Sequence, residues 1–311
     1  GIVPYDRVNS GDDDAGLFTL ESDDPSTLIY VEPHAFATAD GEIALFAEGR
    51  NPATGEGTIV RCDVDTTLVC NDLRPVLGPS DEGAPEWLSE RAGAPAVLQQ
   101  ESTWLLAFAF GQGAGIGLAW SMDGEDFTLD EAPLLEATGL YEQEGIDSPS
   151  LIRTETGYRL YYEGRDSDGT TRILVADGDH GLVFQRVGVA LDAGLGCEDV
   201  TGQPETCWDA AGVGSPEVRP AITPAGRPVY RLFYSGLGAT GLDLGFAASW
   251  DGVNFERFVY NPVVGSDAAE RQPTNVRIND HYLLFFEERI SNTVRGIAVS
   301  INDAPSPSES F

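Results

Sequence analysis

The chain has 311 residues and a formal net charge of −33, and all 18 of its basic residues are arginine. A field of that sign opposes nucleic acid and polyanionic partners, and with no lysine the chain cannot supply Schiff-base or lysine general-base chemistry. No apolar run approaches the roughly 20 residues that cross a bilayer as a helix, so no membrane span is expected.

Residues 1–16 form a polar tether in which Asp12–Asp14 is a solvated acidic run rather than a cation site. The next segment, Phe18–Pro25, resembles Phe127–Pro133, which closes a later repeat. From Val31 onward the chain repeats itself. Copies are expected over 31–78, 93–135, 147–191, 214–264 and 271–302, and each opens near a proline: Pro33, Pro95, Pro149, Pro216 and Pro273. Proline suits the start of a strand, where no ladder donor is lost. A second strand rich in aliphatic and aromatic residues follows in each copy: Ile43–Gly49, Trp104–Gly111, Tyr158–Gly164, Tyr230–Gly236 and Tyr282–Glu288. A third strand follows in each, ending in small residues in the last four copies, as in Gly117–Ser121 and Gly245–Ser249. Short apolar runs bounded by Gly and Asp turns are strands joined by hairpins. The spacing predicts an all-β fold: a five-bladed β-propeller of four-stranded antiparallel blades in one domain, 1–311. The fifth copy lacks a fourth strand, so residues 17–22 are expected to supply it and close the ring, with 303–311 a flexible tail.

The four cysteines form two close pairs. Cys62 and Cys70 fall on the third and fourth strands of the first copy and can meet across a hairpin, while Cys197 and Cys207 would staple the loop 192–213. Their spacings fit no common zinc pattern. Two local disulfides predict an oxidising compartment, hence a secreted, periplasmic or cell-surface protein, and the start at Gly1 rather than Met fits a removed export signal.

Antiparallel pairing puts the start of each first strand, the end of each second strand and the inter-blade loops at one end of the ring. Charged residues collect there. Glu32 and Asp147 stand at first-strand starts, and Glu48/Arg50, Glu163/Arg165 and Glu287/Arg289 at second-strand ends. The Glu/Arg sets are either ion pairs between blades or substrate contacts. The loops add Trp87, Glu90, Arg91, Tyr141, Glu142 and Glu144, Trp208 precedes the fourth blade, and Arg271 opens the fifth. Glu32 and Asp147, on non-adjacent blades, face each other across the mouth, as glycoside hydrolysis requires of its two carboxyl groups. His34 lies near this pocket, with His180 and His281 in other blades, so no multi-histidine metal site is expected. The Gly236–Gly241 stretch has the letters of a dinucleotide fingerprint but no following helix. A structural calcium ion at the Asp166–Gly169 turn is the one cofactor the sequence admits, against a plain turn.

With its Ser249–Phe255 turn, its Tyr161–Gly164 and Phe233–Gly236 strands and its acid–Pro openings, nearly the whole chain resembles the five-bladed glycosidases of the invertase/levansucrase and arabinanase/β-xylosidase groups. The resemblance implies that Glu32 holds the place of the blade-one nucleophile or base, one methylene longer than the usual Asp. Asp147 holds the place of the invertase-branch general acid, one methylene shorter than the usual Glu. Two motifs differ: the Arg-Asp-Pro of blade two is replaced by Arg91–Pro95, and the Glu-Gly-Pro of blade four by Gly214–Pro216. The chemistry is then either rearranged, with Glu142, Glu144 or Glu90 substituting, or lost. The expectation is a monomeric glycosidase for a neutral saccharide, with Glu32 and Asp147 catalytic. Binding falls to His34, Arg50, Trp87, Arg91, Tyr141, Glu144, Glu163, Arg165, Trp208, Arg271, Glu287 and Arg289, the three aromatics stacking on sugar rings. The alternative is a non-catalytic carbohydrate- or partner-binding propeller.

Overall fold

The computed structural model describes residues 6–7, 19–20, 28–38, 41–194, 208–238, 241–264, 269–278, 281–289 and 295–302. Among them every regular element is a strand. Two short strands come first, β1 (Asp6–Arg7) and β2 (Thr19–Leu20). The first hairpin-connected set is β3 (Ile29–Ala37), β4 (Ile43–Arg50), β5 (Gly57–Val64) and β6 (Val69–Leu77). The second is β7 (Ala92–Gln100), β8 (Thr103–Phe110) and β9 (Gly115–Ser121), edged by β10 (Thr128–Leu129) and β11 (Leu135–Glu136). The third is β12 (Gly145–Thr154), β13 (Gly157–Arg165), β14 (Thr171–Gly178) and β15 (Phe184–Leu191). The fourth is β16 (Gly212–Ile222), β17 (Pro228–Gly238), β18 (Gly241–Ser249) and β19 (Glu256–Arg257), tied to the third by one parallel bridge, Thr171 to Gly212. The last is β20 (Arg271–Ile278), β21 (His281–Arg289) and β22 (Arg295–Asn302).

The second strands explain the packing. Successive side chains on a strand point to opposite faces, and here both faces are buried. Leu45 and Ala47 enter one core cluster with Phe285 and Ile297 of the last set, while Ala44 and Phe46 enter another with Leu106 and Phe108 of the second. The alternation continues. Leu105 and Ala107 meet Leu160 and Tyr162, Tyr161 meets Leu232 and Tyr234, and Phe233 meets Leu284 and Phe286. Each cluster therefore lies between two consecutive sets, and one joins the last set to the first. Burying each large side chain contributes about 1.5–3 kcal/mol, and a one-residue slip would send every one of them to the wrong seam.

Two expectations about the termini change. Thr19–Leu20, expected on the last set, instead pairs in parallel with Val69–Cys70 at the edge of the first. The partner of the last set is Asp6–Arg7, antiparallel to Ser300–Ile301. With Asp6–Arg7 on the β22 edge, Thr19–Leu20 takes the free edge of the first set. Cys62 and Cys70 form the expected disulfide, with Cα atoms 5.6 Å apart. The Cys197–Cys207 pair, the Asp12–Asp14 run and the tail 303–311 lie outside the described residues.

Candidate active site

The first strand of every set carries the same irregularity. The residue before the opening proline is left-handed: Glu32 (φ 55°), Ala94 (45°), Ser148 (48°), Ser215 (48°) and Gln272 (55°). The ladder register jumps at each, as between Val31 and His34 or between Gly214 and Glu217. A bulge of this kind re-aims side chains. The five pre-proline residues and their prolines line one narrow channel of about 30 Å³. Non-glycine residues at positive φ are uncommon. Because the conformation occurs in all five sets, it belongs to the repeat and is not strain peculiar to Glu32.

One residue further back, the repeat fixes five cross-strand pairs: Val31–Glu48, Gly93–Ala109, Asp147–Glu163, Gly214–Ser235 and Arg271–Glu287. Second-strand carboxylates thus stand at this level in the first, third and last sets. Arg91, from the loop before β7, ties the first and third together. Its Nη2 donates to Glu32 Oε2 at 2.7 Å and to Glu48 Oε2 at 2.9 Å, its Nε to Glu48, and its Nη1 to Asp147 Oδ2 at 2.8 Å. Arg50 grips Glu32 Oε1 at 2.9 Å and both oxygens of Glu48. Burial alone would raise the Glu32 carboxyl. Arg91, Glu48, Arg50 and Arg271 together outweigh it and hold the group well below the usual carboxylate range. Glu48 has no exposed surface, and burial followed by the charge of Glu32 pushes it up to about 7 against the two arginines.

Above this cluster lie two cavities that share Arg91, Gln112 and Asp147. The larger, about 220 Å³, adds Glu32, Arg50, Gly55 and Arg271, and the smaller, about 120 Å³, adds Glu144, Glu163 and Arg165. Glu32 and Asp147 therefore share both a cavity wall and a guanidinium. Two bonds this short to adjacent nitrogens keep their nearest oxygens closer than about 9.5 Å, the widest separation glycosidase carboxyl pairs use. Asp147 Oδ1 also accepts the Ser148 N–H at 2.7 Å. Glu163 takes a single side-chain hydrogen bond among the described residues, from Arg165 at 3.3 Å. Burial, then the charge of Asp147, raises its carboxyl above the ordinary range.

Other expected site residues lie elsewhere. His34 lines the narrow channel, donating to the Val97 carbonyl at 3.2 Å, with Nδ1 3.7 Å from Glu217. Trp87 packs on Phe108 and Phe110 between the first two sets, and Trp208 packs on Tyr234; neither lines the two cavities. Tyr141 lies under the Arg172 guanidinium, 4.6 Å from its ring centre. Glu287 is fully buried beneath Arg271 and Arg295, and Arg289 is exposed and lines neither cavity. Of the loop substitutes, Glu142 is held by Arg186, Tyr162 and two backbone N–H groups, and Glu90 is exposed away from both cavities; Glu144 alone lines one. Asp166 accepts the Asp168 and Thr170 N–H groups and the Arg172 guanidinium, closing its turn on itself. Gln112, which sequence reasoning missed, lines both cavities. It stands one residue beyond Gly111, which holds the place of Arg50 and Arg165 in the repeat, so the repeat offered no signal for it.

His34 gives a pH prediction. Burial, then Arg219, lowers its imidazole to about 3, so the unfolded chain takes up a proton near pH 6.5 that the folded chain refuses. Stability from a neutral His34 is complete above pH 6.5 and is lost as pH falls toward 3. Comparing unfolding of the wild type with His34→Gln cancels the other carboxylates. The wild type's advantage is expected to shrink by about 1.4 kcal/mol per unit below pH 6.5. Glu217, raised by burial, takes up its proton at higher pH in the folded protein than in the unfolded chain, and being present in both proteins it cancels in the comparison. A difference constant from pH 7.5 to 5 would refute the assignment.

No protein-family model matches the sequence, and no curated protein does. Solved structures do match. A glycoside hydrolase aligns at TM-score 0.71 and 15% identity over 99% of this chain and 94% of its own. A thermostable family-43 glycoside hydrolase aligns at 0.65 and 13% over 94% and 98%. The sucrose-6-phosphate hydrolase of Lactobacillus gasseri aligns at 0.66 and 12% over 95% and 61%. The chain has the fold of the β-propeller glycoside hydrolases, and the resemblance to both groups holds at that level.

Proposed function

We propose that the chain is a glycoside hydrolase: a single five-bladed propeller over 1–311, closed through Asp6–Arg7, acting as a secreted or periplasmic monomer on a neutral saccharide. Support for the closed ring comes from the seam joining last set to first and from the five pre-proline residues around one channel. The Cys62–Cys70 disulfide supports an oxidising compartment. The observation that carries the catalytic reading is Arg91 holding Glu32 and Asp147 on one cavity. Both Glu32 oxygens already accept guanidinium bonds. Forming an ester with the sugar would displace one of them, whereas taking a proton from water needs only a second lone pair. Glu32 is therefore the base for direct attack by water, and the leaving oxygen is protonated from the Asp147 wall.

A panel of aryl furanosides and pyranosides tests this. The wild type is expected to hydrolyse at least one sugar, and Glu32→Gln to lose at least about 100-fold in kcat/KM. The same arginine clasp favours the rival, a non-catalytic carbohydrate-binding propeller. Saccharide binding without hydrolysis, equal in wild type and Glu32→Gln, would establish that instead.

A further inference from the structure

Glu48 and Glu163 hold one position in two copies of the repeat: each ends a second strand opposite the residue two before the opening proline. Each also reaches into the following set, where the equivalent residue is glycine. A Cβ built on Gly93 would stand 1.9 Å from Glu48 Oε2, and one on Gly214 would stand 2.0 Å from Glu163 Oε2. The glycines make room for these carboxyl groups. From there the two copies part. Glu48 is sealed, with no exposed side-chain surface and both oxygens gripped by Arg50 and Arg91. Glu163 keeps 15% of its side chain exposed, takes one bond at 3.3 Å, and lines the smaller cavity beside Asp147. Asp147, by contrast, has an acceptor bond on each oxygen, from Arg91 and from the Ser148 N–H. Glu163 Oε2 has no hydrogen-bond partner among the described residues, so Glu163 is the less engaged of the two carboxyl groups.

We propose that Glu163, not Asp147, is the proton donor of the site, its carboxyl standing in the space that Gly214 leaves at the start of β16. The proposal rests on the hydrolase reading above. The Glu163 O–H passes its proton to the glycosidic oxygen as the bond from that oxygen to the anomeric carbon breaks, and the bonding pair stays on the oxygen. Water forms the new bond to the anomeric carbon while its proton passes to Glu32. Exchange with solvent then reprotonates Glu163 and deprotonates Glu32. The raised carboxyl of Glu163 and the lowered one of Glu32 are the states this division of labour needs.

The test uses two glycosides of the sugar cleaved in the panel, one with an alcohol leaving group and one with dinitrophenolate, which departs without a proton. Glu163→Gln is expected to lose about 100-fold or more in kcat on the alcohol glycoside and to retain most of its rate on the dinitrophenyl compound. A merely structural role would depress both alike, and that result, or no loss on either, overturns the proposal. The wild type supplies a measurement independent of the variant's folding. A basic limb in kcat/KM is expected with the alcohol glycoside and not with the dinitrophenyl one, and a limb common to both overturns the assignment. A wild type inert on the entire panel overturns the hydrolase reading and this inference with it. Activity with an unselective Glu163→Gln overturns the inference alone.

Discussion

Arg91→Met is expected to cost about 3–5 kcal/mol of stability, the loss seen when one partner of a buried ion pair is removed. Most domains have only about 5–15 kcal/mol to lose. The guanidinium is 5% exposed and bonds three carboxylates from two sets, Glu32 and Glu48 of the first and Asp147 of the third. Methionine fills much of the stem's volume but leaves Glu48 with Arg50 as its remaining cation and Asp147 without its bond across the seam. Activity is expected to disappear along with the spacing of Glu32 and Asp147. Arg91→Lys should recover little, because one ammonium cannot span the fork that a planar guanidinium fills. Urea unfolding measures the effect. A change under about 1 kcal/mol would mean that the carboxylate cluster does not depend on its hub.

The parts of this molecule that were legible in its sequence are those set by period. Prolines at regular spacing and second strands such as Tyr158–Gly164 located the repeat, and each strand's two faces went to the two seams that alternation dictates. The termini were less legible. Asp6–Arg7 and Thr19–Leu20 pair over two residues each, too few for alternation to show. The packing of the loop tryptophans was not legible, because a loop position says nothing about where an indole goes. The informative residues were glycines on neighbouring strands. A Cβ on Gly117 would stand 2.8 Å from Trp87, and one on Gly236 or Gly245 would stand 2.2 or 2.5 Å from Trp208. Those strands had already made space for the rings. At the site, charge type located Glu32, Asp147 and the Glu/Arg sets. It could not separate Glu48 from Glu163, since that difference arises from Arg91 reaching one of them and not the other, and from Arg50 gripping both oxygens of Glu48 where Arg165 gives Glu163 one long bond.

The same substitution at two equivalent glycines should therefore have opposite consequences. In Gly93→Ala the new methyl meets Glu48 Oε2 and, at 2.7 Å, Arg91 Nε, both sealed in the cluster. Glu48 can leave only by giving up its arginine bonds inside the protein, so a loss of about 3 kcal/mol or more is expected. In Gly214→Ala the methyl meets the Glu163 carboxyl, which borders an open cavity and can swing into it with its oxygens still hydrated. Stability should change by about 1 kcal/mol at most. Hydrolysis of glycosides with poor leaving groups should fall about 100-fold, the scale set by a displacement of about 1 Å at a reacting group. Neither glycine has the positive φ that would confound the comparison with backbone strain. Unfolding curves and rates on the two variants side by side decide the matter. If Gly214→Ala unfolds as readily as Gly93→Ala, Glu163 is a structural group like Glu48. If it stays folded and fully active, the carboxyl that the methyl displaces has no part in the chemistry.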